Sequence, residues 1–219
     1  MDFWKLMEVL HRYQEIMNPV TEAKLDRLVD LLRLEPGSRV LDIACGKGTL
    51  LVKLVEKYGV AGVGVDKSPY CIEHCNAKKL ARVPDSDLEF LLMDGADYKP
   101  DSKFDMCCCL GGSWVYGDHR GTLEALSSMT KPGGFILVGE PHWLKEPSPE
   151  YLAAEGITRD SFRSHYENVM VGEKLGFKCL YTIEGDHDGW DHYETLHWWA
   201  AEDYIRDHPD DPDIPEIRE

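Results

Sequence analysis

Val40-Leu-Asp-Ile-Ala-Cys-Gly-Lys-Gly-Thr49 is the stretch that decides how this chain folds. From Arg39 to Cys45 it is a short apolar run that reads as a buried strand. Gly46 and Gly48 then let the backbone turn sharply and carry bare N–H groups. Thr49 to Tyr58 follows with Leu50, Leu51, Leu54, Val55 and Tyr58 on one side, the spacing of a helix. A strand, a glycine turn and a helix N-terminus in that order aim backbone donors at a ligand.

The same rhythm continues downstream. Gly62 to Asp66, Leu88 to Asp94, Phe104 to Gly111, Phe135 to Gly139 and Phe177 to Gly185 read as strands. Between and after them, Pro69 to Val83, Asp118 to Thr130, Arg159 to Leu175 and Trp190 to Ile205 read as helices, with Pro69 suited to a first turn. Alternation of this kind predicts an α/β chain: a doubly wound, mostly parallel Rossmann-like sheet with helices on both faces. Upstream, Phe3, Leu6, Met7, Leu10, Tyr13 and Met17 recur at helical spacing until Asn18-Pro19, and a second helix starts at the N-cap Thr21. The expected division is an N-terminal helical lid or appendage over 1–35, the sheet domain over 36–208 and an acidic tail over 209–219. Glu202 to Glu219 holds eight acids, two bases and three prolines, so the final stretch from Pro209 reads as exposed.

Composition narrows the function. Forty acids against 24 bases give a net charge of −16, which argues against nucleic acid as a partner. No window approaches the roughly 18–20 apolar residues of a membrane span, and the start shows no secretory signal. Seven cysteines, three of them consecutive at Cys107, Cys108 and Cys109, suit reduced thiols in the cytoplasm better than a disulfide framework. No spacing supports a metal site.

Three acids stand at carboxyl ends of the expected parallel strands, where such sheets bind ligands. Asp42 lies just before the turn, Asp66 follows Gly48 by 18 residues, near the spacing at which an acid meets ribose hydroxyls, and Asp94 ends the third strand. A dinucleotide site wants a third glycine at position 51, where this chain has Leu, and Asp42 would face a pyrophosphate. A carboxylate there suits a ligand with a positive group, such as S-adenosyl-L-methionine. Asp42 reads equally as a structural carboxylate that supports the turn.

With these residues in view, Val40 to Gly48 resembles the first motif of class I S-adenosylmethionine-dependent methyltransferases. Gly64-Val-Asp66 resembles their acidic second motif, Leu92-Met-Asp94-Gly-Ala their adenine-contacting motif, and Leu126 to Gly134 their L-x-P-G-G region. The flanks (Asn18-Pro19, Trp114, Gly139 to Trp143, Gly189 to Tyr193) are similar to a prokaryotic small-molecule branch and assign no substrate. The resemblance implies methyl transfer to a small molecule by in-line displacement. It implies that the Gly46–Gly48 loop holds the methionine end with Asp42 orienting its amino group, that Asp66 accepts both ribose hydroxyls and that Asp94 accepts the adenine amine. Ala44, Lys67, Gly95, Ala96 and Leu110 complete the expected cofactor set. The family sheet has seven strands, whereas six are legible here. The alternative is a non-catalytic binder of S-adenosylmethionine or an interaction protein.

The acceptor side is less defined. Trp114 reads as an apolar wall or cation–π partner, or equally as packing. Glu140 and His142 follow the fifth strand, where either could take a proton; the alternative is a helix-dipole or salt-bridge role for Glu140 and an exposed His142. Trp190 and Tyr193 read as a cap over the substrate pocket. Glu140, Trp114 and Tyr193 are therefore the candidate catalytic residues, with Trp143 beside them. Trp4, Leu6, Met7, Leu10 and Tyr13 form a stripe that must be covered, either as a mobile lid over residues 1–20 or as a permanently docked helix.

Overall fold

Two helices precede the sheet: α1 (Phe3–Leu10), capped by Asp2, and α2 (Glu22–Leu32), capped by Thr21. The alternating region then runs β1 (Arg39–Ile43), α3 (Thr49–Tyr58), β2 (Ala61–Asp66), α4 (Pro69–Arg82), β3 (Leu88–Leu92), β4 (Phe104–Leu110), α5 (His119–Met129) and β5 (Thr130–Gly139). These come from a computed structural model that describes residues 1–218. All ladder pairs are parallel and the strand order is β3-β2-β1-β4-β5. The order reverses between β1 and β4, so a crevice opens at the carboxyl ends of those strands.

Period-two side-chain alternation builds the two layers of the core. Val40, Met106 and Cys108 point to one face, where Leu51 and Leu54 of α3, Leu25 and Val29 of α2 and Cys75 of α4 cover them. Leu41, Ile43, Cys107 and Cys109 point to the other, under Leu126 and Met129 of α5. The three consecutive cysteines are thus split between faces, and all three are free thiols. Through Leu25 and Val29, α2 contributes to the core on this face of the sheet.

Beyond β5 the chain forms β6 (His142–Trp143), α6 (Pro149–Glu155), β7 (Arg163–Ser164), α7 (His165–Lys174), α8 (His187–Asp207) and α9 (Ile214–Ile217). Several expectations are corrected here. The helix expected over Arg159 to Leu175 begins only at His165, because Ser164 and Glu167 form a capping box that starts a new helix there. The strand expected over Phe177 to Gly185 is an irregular run that joins no ladder among the described residues. Its alternating apolar residues suggested a strand, but Leu180 and Tyr181 are exposed and no ladder partner holds it. Five strands therefore make the main sheet among the described residues, with β6 and β7 a separate parallel pair.

The terminal regions also differ from expectation. The first helix stops at Leu10, where the His11 N–H and ring both turn back to the Met7 carbonyl. The segment from Pro209 is not free: Lys5 binds Asp211 at 3.0 Å and Asp213 at 2.6 Å, the amino terminus pairs with Glu216, and Ile217 is buried. Opposite charges and one apolar anchor fold the acidic stretch back onto α1.

Candidate functional site

The turn after β1 carries three left-handed residues, Ala44, Gly46 and Gly48, at φ of 55°, 52° and 71°. A Cβ on Gly48 would lie 2.9 Å from both the Phe90 ring and Cys75 Sγ, so only glycine fits there. Asp66 shapes the turn: its Oδ2 accepts the Gly46 N–H at 2.9 Å and its Oδ1 the Ser68 N–H at 2.9 Å. Burial still raises its carboxyl above the ordinary range, despite those donors.

Asp42 lies beneath the turn, 3% exposed, and its Oδ1 is buried without a partner. Burial pushes its carboxyl up to about 7, and the charge of Asp66 adds to the rise. Asp94 is more open. Its Oδ2 accepts from Lys67 Nζ at 2.9 Å and its Oδ1 from the Ala96 N–H at 3.0 Å, and the Lys67 ammonium holds it below the usual carboxylate range. Gly95 follows in a short 3-10 turn, where a Cβ would meet Ile43 at 2.6 Å.

A strap made of residues 11–19 crosses the glycine turn. Lys47 Nζ donates to the His11 carbonyl at 2.8 Å and Thr49 Oγ1 to the Glu15 carbonyl at 2.6 Å. The Met17 sulfur lies 3.3 Å from where a Cβ on Gly46 would be, and Asn18 reaches Gly111 at the end of β4.

Across the crevice, β4 and β5 meet where the Gly111 N–H donates to the Gly139 carbonyl at 3.1 Å. Leu110 ends β4, partly buried and opposite Gly139. Glu140 follows β5 with its Oε2 buried and unpartnered, 3.8 Å from His119 Nδ1. Burial raises its carboxyl, while Ser113 and His119 pull it back down. His142 instead pairs with Glu184 at 2.9 Å.

The glycine turn, the acids at successive strand ends and the crevice at the switch point stand where open parallel sheets commonly take ligands. Residues 40–134 match the family model described as a methyltransferase domain. The chain is 31% identical to YjhP of Escherichia coli K12 over 220 residues, covering all of this chain and 89% of that protein. A crystal structure of an S-adenosylmethionine-dependent methyltransferase from Thiobacillus denitrificans, in complex with S-adenosyl-L-homocysteine, superposes with a TM-score of 0.92. It is 34% identical, over all of this chain and 89% of that one. The chain belongs to the S-adenosylmethionine-dependent methyltransferases. A trans-aconitate 2-methyltransferase from Rhizobium rhizogenes is 32% identical over 70% of this chain and 65% of that enzyme.

In this methyltransferase the aromatic candidates are scattered. Trp114 is 73% exposed. Trp143 donates its indole N–H to the Arg159 carbonyl and packs edge-on against Tyr151 and Phe162. Tyr193 is bound to the strap. Burial pushes His11 down to about 4, so near neutral pH its Nδ1–H donates to the Met7 carbonyl and its Nε2 accepts from the Tyr193 hydroxyl at 3.1 Å. Gln14 adds a bond to the Tyr193 carbonyl at 2.7 Å. The tyrosine thus ties α8 to the strap.

Residue-type reasoning missed Lys47, whose position inside the glycine turn was the available signal, and Met17, which had been counted in a helical stripe. It also missed His119, Ser113 and Asn168. No sequence spacing connects the latter two to Glu140, although His119 opens the helix that follows the β4 loop.

Proposed function

We propose that this chain moves the methyl group of S-adenosylmethionine to a small-molecule acceptor in the crevice between β1 and β4. The observation that carries the reading is Asp42 Oδ1, a buried carboxylate oxygen with no partner beneath a glycine turn. Left alone it costs free energy. A cationic ligand with hydrogen-bond donors removes that cost, and the methionine end of the donor is such a ligand. Gly46, Gly48 and Gly95 keep the turn and its neighbours closely packed, because a side chain there would crowd Met17, Phe90 or Ile43.

When bound, S-adenosylmethionine supplies a methyl group on a sulfonium that is already a good leaving group. The chain has to hold and align. Asp42 balances positive charge, Asp66 offers its remaining lone pairs to ribose hydroxyls while keeping Gly46 in place, and Asp94 with Ala96 presents an acceptor and a backbone donor to the adenine edge, flanked by Lys67. The strap excludes water above the turn, and alignment at about 3–3.5 Å supplies much of the rate. The acceptor enters from the β4–β5 side, against Glu140 and beside Trp114. A small molecule suits this chain better than nucleic acid because its −16 charge offers no phosphate track. Its free thiols suit the reducing cytoplasm.

Calorimetry with S-adenosylmethionine, S-adenosylhomocysteine and NAD tests the donor reading. Binding of the first two with weak or no NAD binding is expected, and equal affinity for NAD overturns it. Label from methyl-labelled donor should then appear in a small molecule of a metabolite extract.

A further inference from the structure

Glu140 belongs to a buried polar cluster that includes His119 at the start of α5, Ser113 in the β4 loop and Asn168 on α7. Three of its atoms are buried with no partner: Glu140 Oε2, His119 Nδ1 and Asn168 Oδ1. Side-chain exposure is 8% at His119 and 15% at Glu140. Buried polar groups left unpaired are uncommon, and each calls for an explanation, a catalytic role among them.

Hydrogen-bond chemistry decides where the His119 proton sits. His119 Nε2 lies 3.1 Å from the Asn168 carbonyl oxygen. A carbonyl only accepts, so Nε2 carries the hydrogen. In the neutral ring Nδ1 is then a bare acceptor, and it faces Glu140 Oε2 at 3.8 Å. Two bare acceptors facing each other in a buried site repel. One proton between them removes the conflict, on the imidazole or on the carboxyl. The Asn168 side-chain amide donates to the Pro141 carbonyl at 3.3 Å, which holds α7 against the residue following Glu140.

We propose that His119 and Glu140 act as a single proton-accepting pair for the methyl acceptor, and that the acceptor is accordingly a protic nucleophile: a hydroxyl, a thiol or an amine that carries a proton. This rests on the methyl-transfer reading above. The acceptor atom bonds to the methyl carbon as the carbon–sulfur bond breaks with its electron pair passing to sulfur. The acceptor's proton passes to the pair, which delivers it to solvent after product leaves. Glu140 stands at the end of β5 and meets the acceptor. His119 is the positioning residue that stores or returns the proton through Nδ1, and the Asn168 carbonyl keeps its tautomer. The other charged and titratable groups around the pair are Asp118 on the turn before α5, Arg163 on β7, which binds Asp118 at 3.3 Å, and Cys109 on β4.

The test is nitrogen-15 NMR of ring-labelled histidine in the intact protein saturated with S-adenosylhomocysteine, across pH. His119 Nε2 should carry the ring hydrogen, and the Nδ1 signal should move in step with the carbon-13 signal of the Glu140 carboxyl. Glu140→Gln should move the Nδ1 signal and leave affinity for S-adenosylhomocysteine within about twofold. A bare Nε2 with protonated Nδ1, or a His119 spectrum that ignores both the Glu140 titration and the substitution, overturns the pair. The wild-type titration alone decides if the variant does not fold. Absence of S-adenosylhomocysteine binding overturns the methyl-transfer reading instead, so the two failures are distinct. With methyl-labelled donor and a metabolite extract, His119→Gln should lower label transfer about 10²-fold, the lower end of general-base effects. An ether, a thioether formed from a thiol, or an N-methyl product formed on a nitrogen that has a lone pair and bears a hydrogen fits. A methyl ester of a carboxylate or a methylated thioether, neither of which releases a proton, overturns the acceptor class.

Discussion

Lys47 Nζ, midway along the glycine turn, donates to the His11 carbonyl at 2.8 Å and is only 4% exposed. The glycine turn and the strap above it are therefore joined by a buried lysine, and burial lowers its pKa from the usual lysine value.

Lys47→Met should leave that carbonyl without its donor. A loss of about 1–3 kcal/mol is expected for a buried hydrogen bond to a charged group. The effect should concentrate in the strap. Hydrogen exchange over residues 1–20 should accelerate, with β1 and β4 unchanged. In the native protein the same segment should gain protection when S-adenosylmethionine is added, as a closing lid does. Equal protection with and without donor would assign 1–20 to the permanent core.

Asp42 gives a pH dependence whose sign follows from its raised carboxyl. Between about 4 and about 7 the folded chain keeps a proton that the unfolded chain has released, so this contribution to stability is whole below about 4, falls steadily as pH rises, and is gone above about 7. Asp42→Asn cannot ionise. Without ligand it should resemble the native protein only near pH 3, below the unfolded carboxyl's pKa, and exceed it at pH 8 by up to about 4 kcal/mol. Denaturant titrations at the two pH values measure this. The same variant should bind S-adenosylmethionine more weakly. In the native protein, binding at pH 6 should release a proton, visible as a buffer-dependent enthalpy.

Asp66→Ala removes the acceptor for the Gly46 N–H as well as a partner for the ribose. Affinity for S-adenosylmethionine should fall by about 1.5–3 kcal/mol, the range for losing charge-assisted hydrogen bonds. An unchanged dissociation constant in calorimetry would leave Asp66 no part in holding the donor.

Tyr193→Phe tests the tie between α8 and the strap. It deletes the hydroxyl donated to His11 Nε2, so stability should fall by about 1 kcal/mol. If the residue also closes over the acceptor, turnover drops while affinity for S-adenosylhomocysteine holds. If it only fastens the strap, exchange over 1–20 rises and turnover per bound donor does not change.

How far the site could be read in advance depended on the range of the interactions involved. Asp42, Gly46, Gly48, Asp66 and Asp94 announce themselves because each stands at a strand end, and strand ends follow from local periodicity. Trp114 and Trp143 looked equivalent by residue type. Only the fold reveals that one ring faces solvent while the other packs on Phe162 and bonds to Arg159. The run from Phe177 to Gly185 has the alternation of a strand, but a strand exists only where a neighbour supplies the ladder, and none of the described residues does.

The sequence by itself determined the parallel sheet, the glycine turn and the order of the acids along it. These arise from contacts within a strand–turn–helix unit, where the spacing of apolar residues and the freedom of glycine act over a few positions. Tertiary structure alone decided that residues 11–19 cross the turn and that the acidic C-terminal stretch returns to Lys5. It alone brought His119 to Glu140, 21 positions away, with Asn168 behind the ring. These pairings rest on long-range burial, which draws unlike segments together to cover apolar surface and then forces their polar atoms to find, or lack, partners. No local pattern in the chain encodes that outcome.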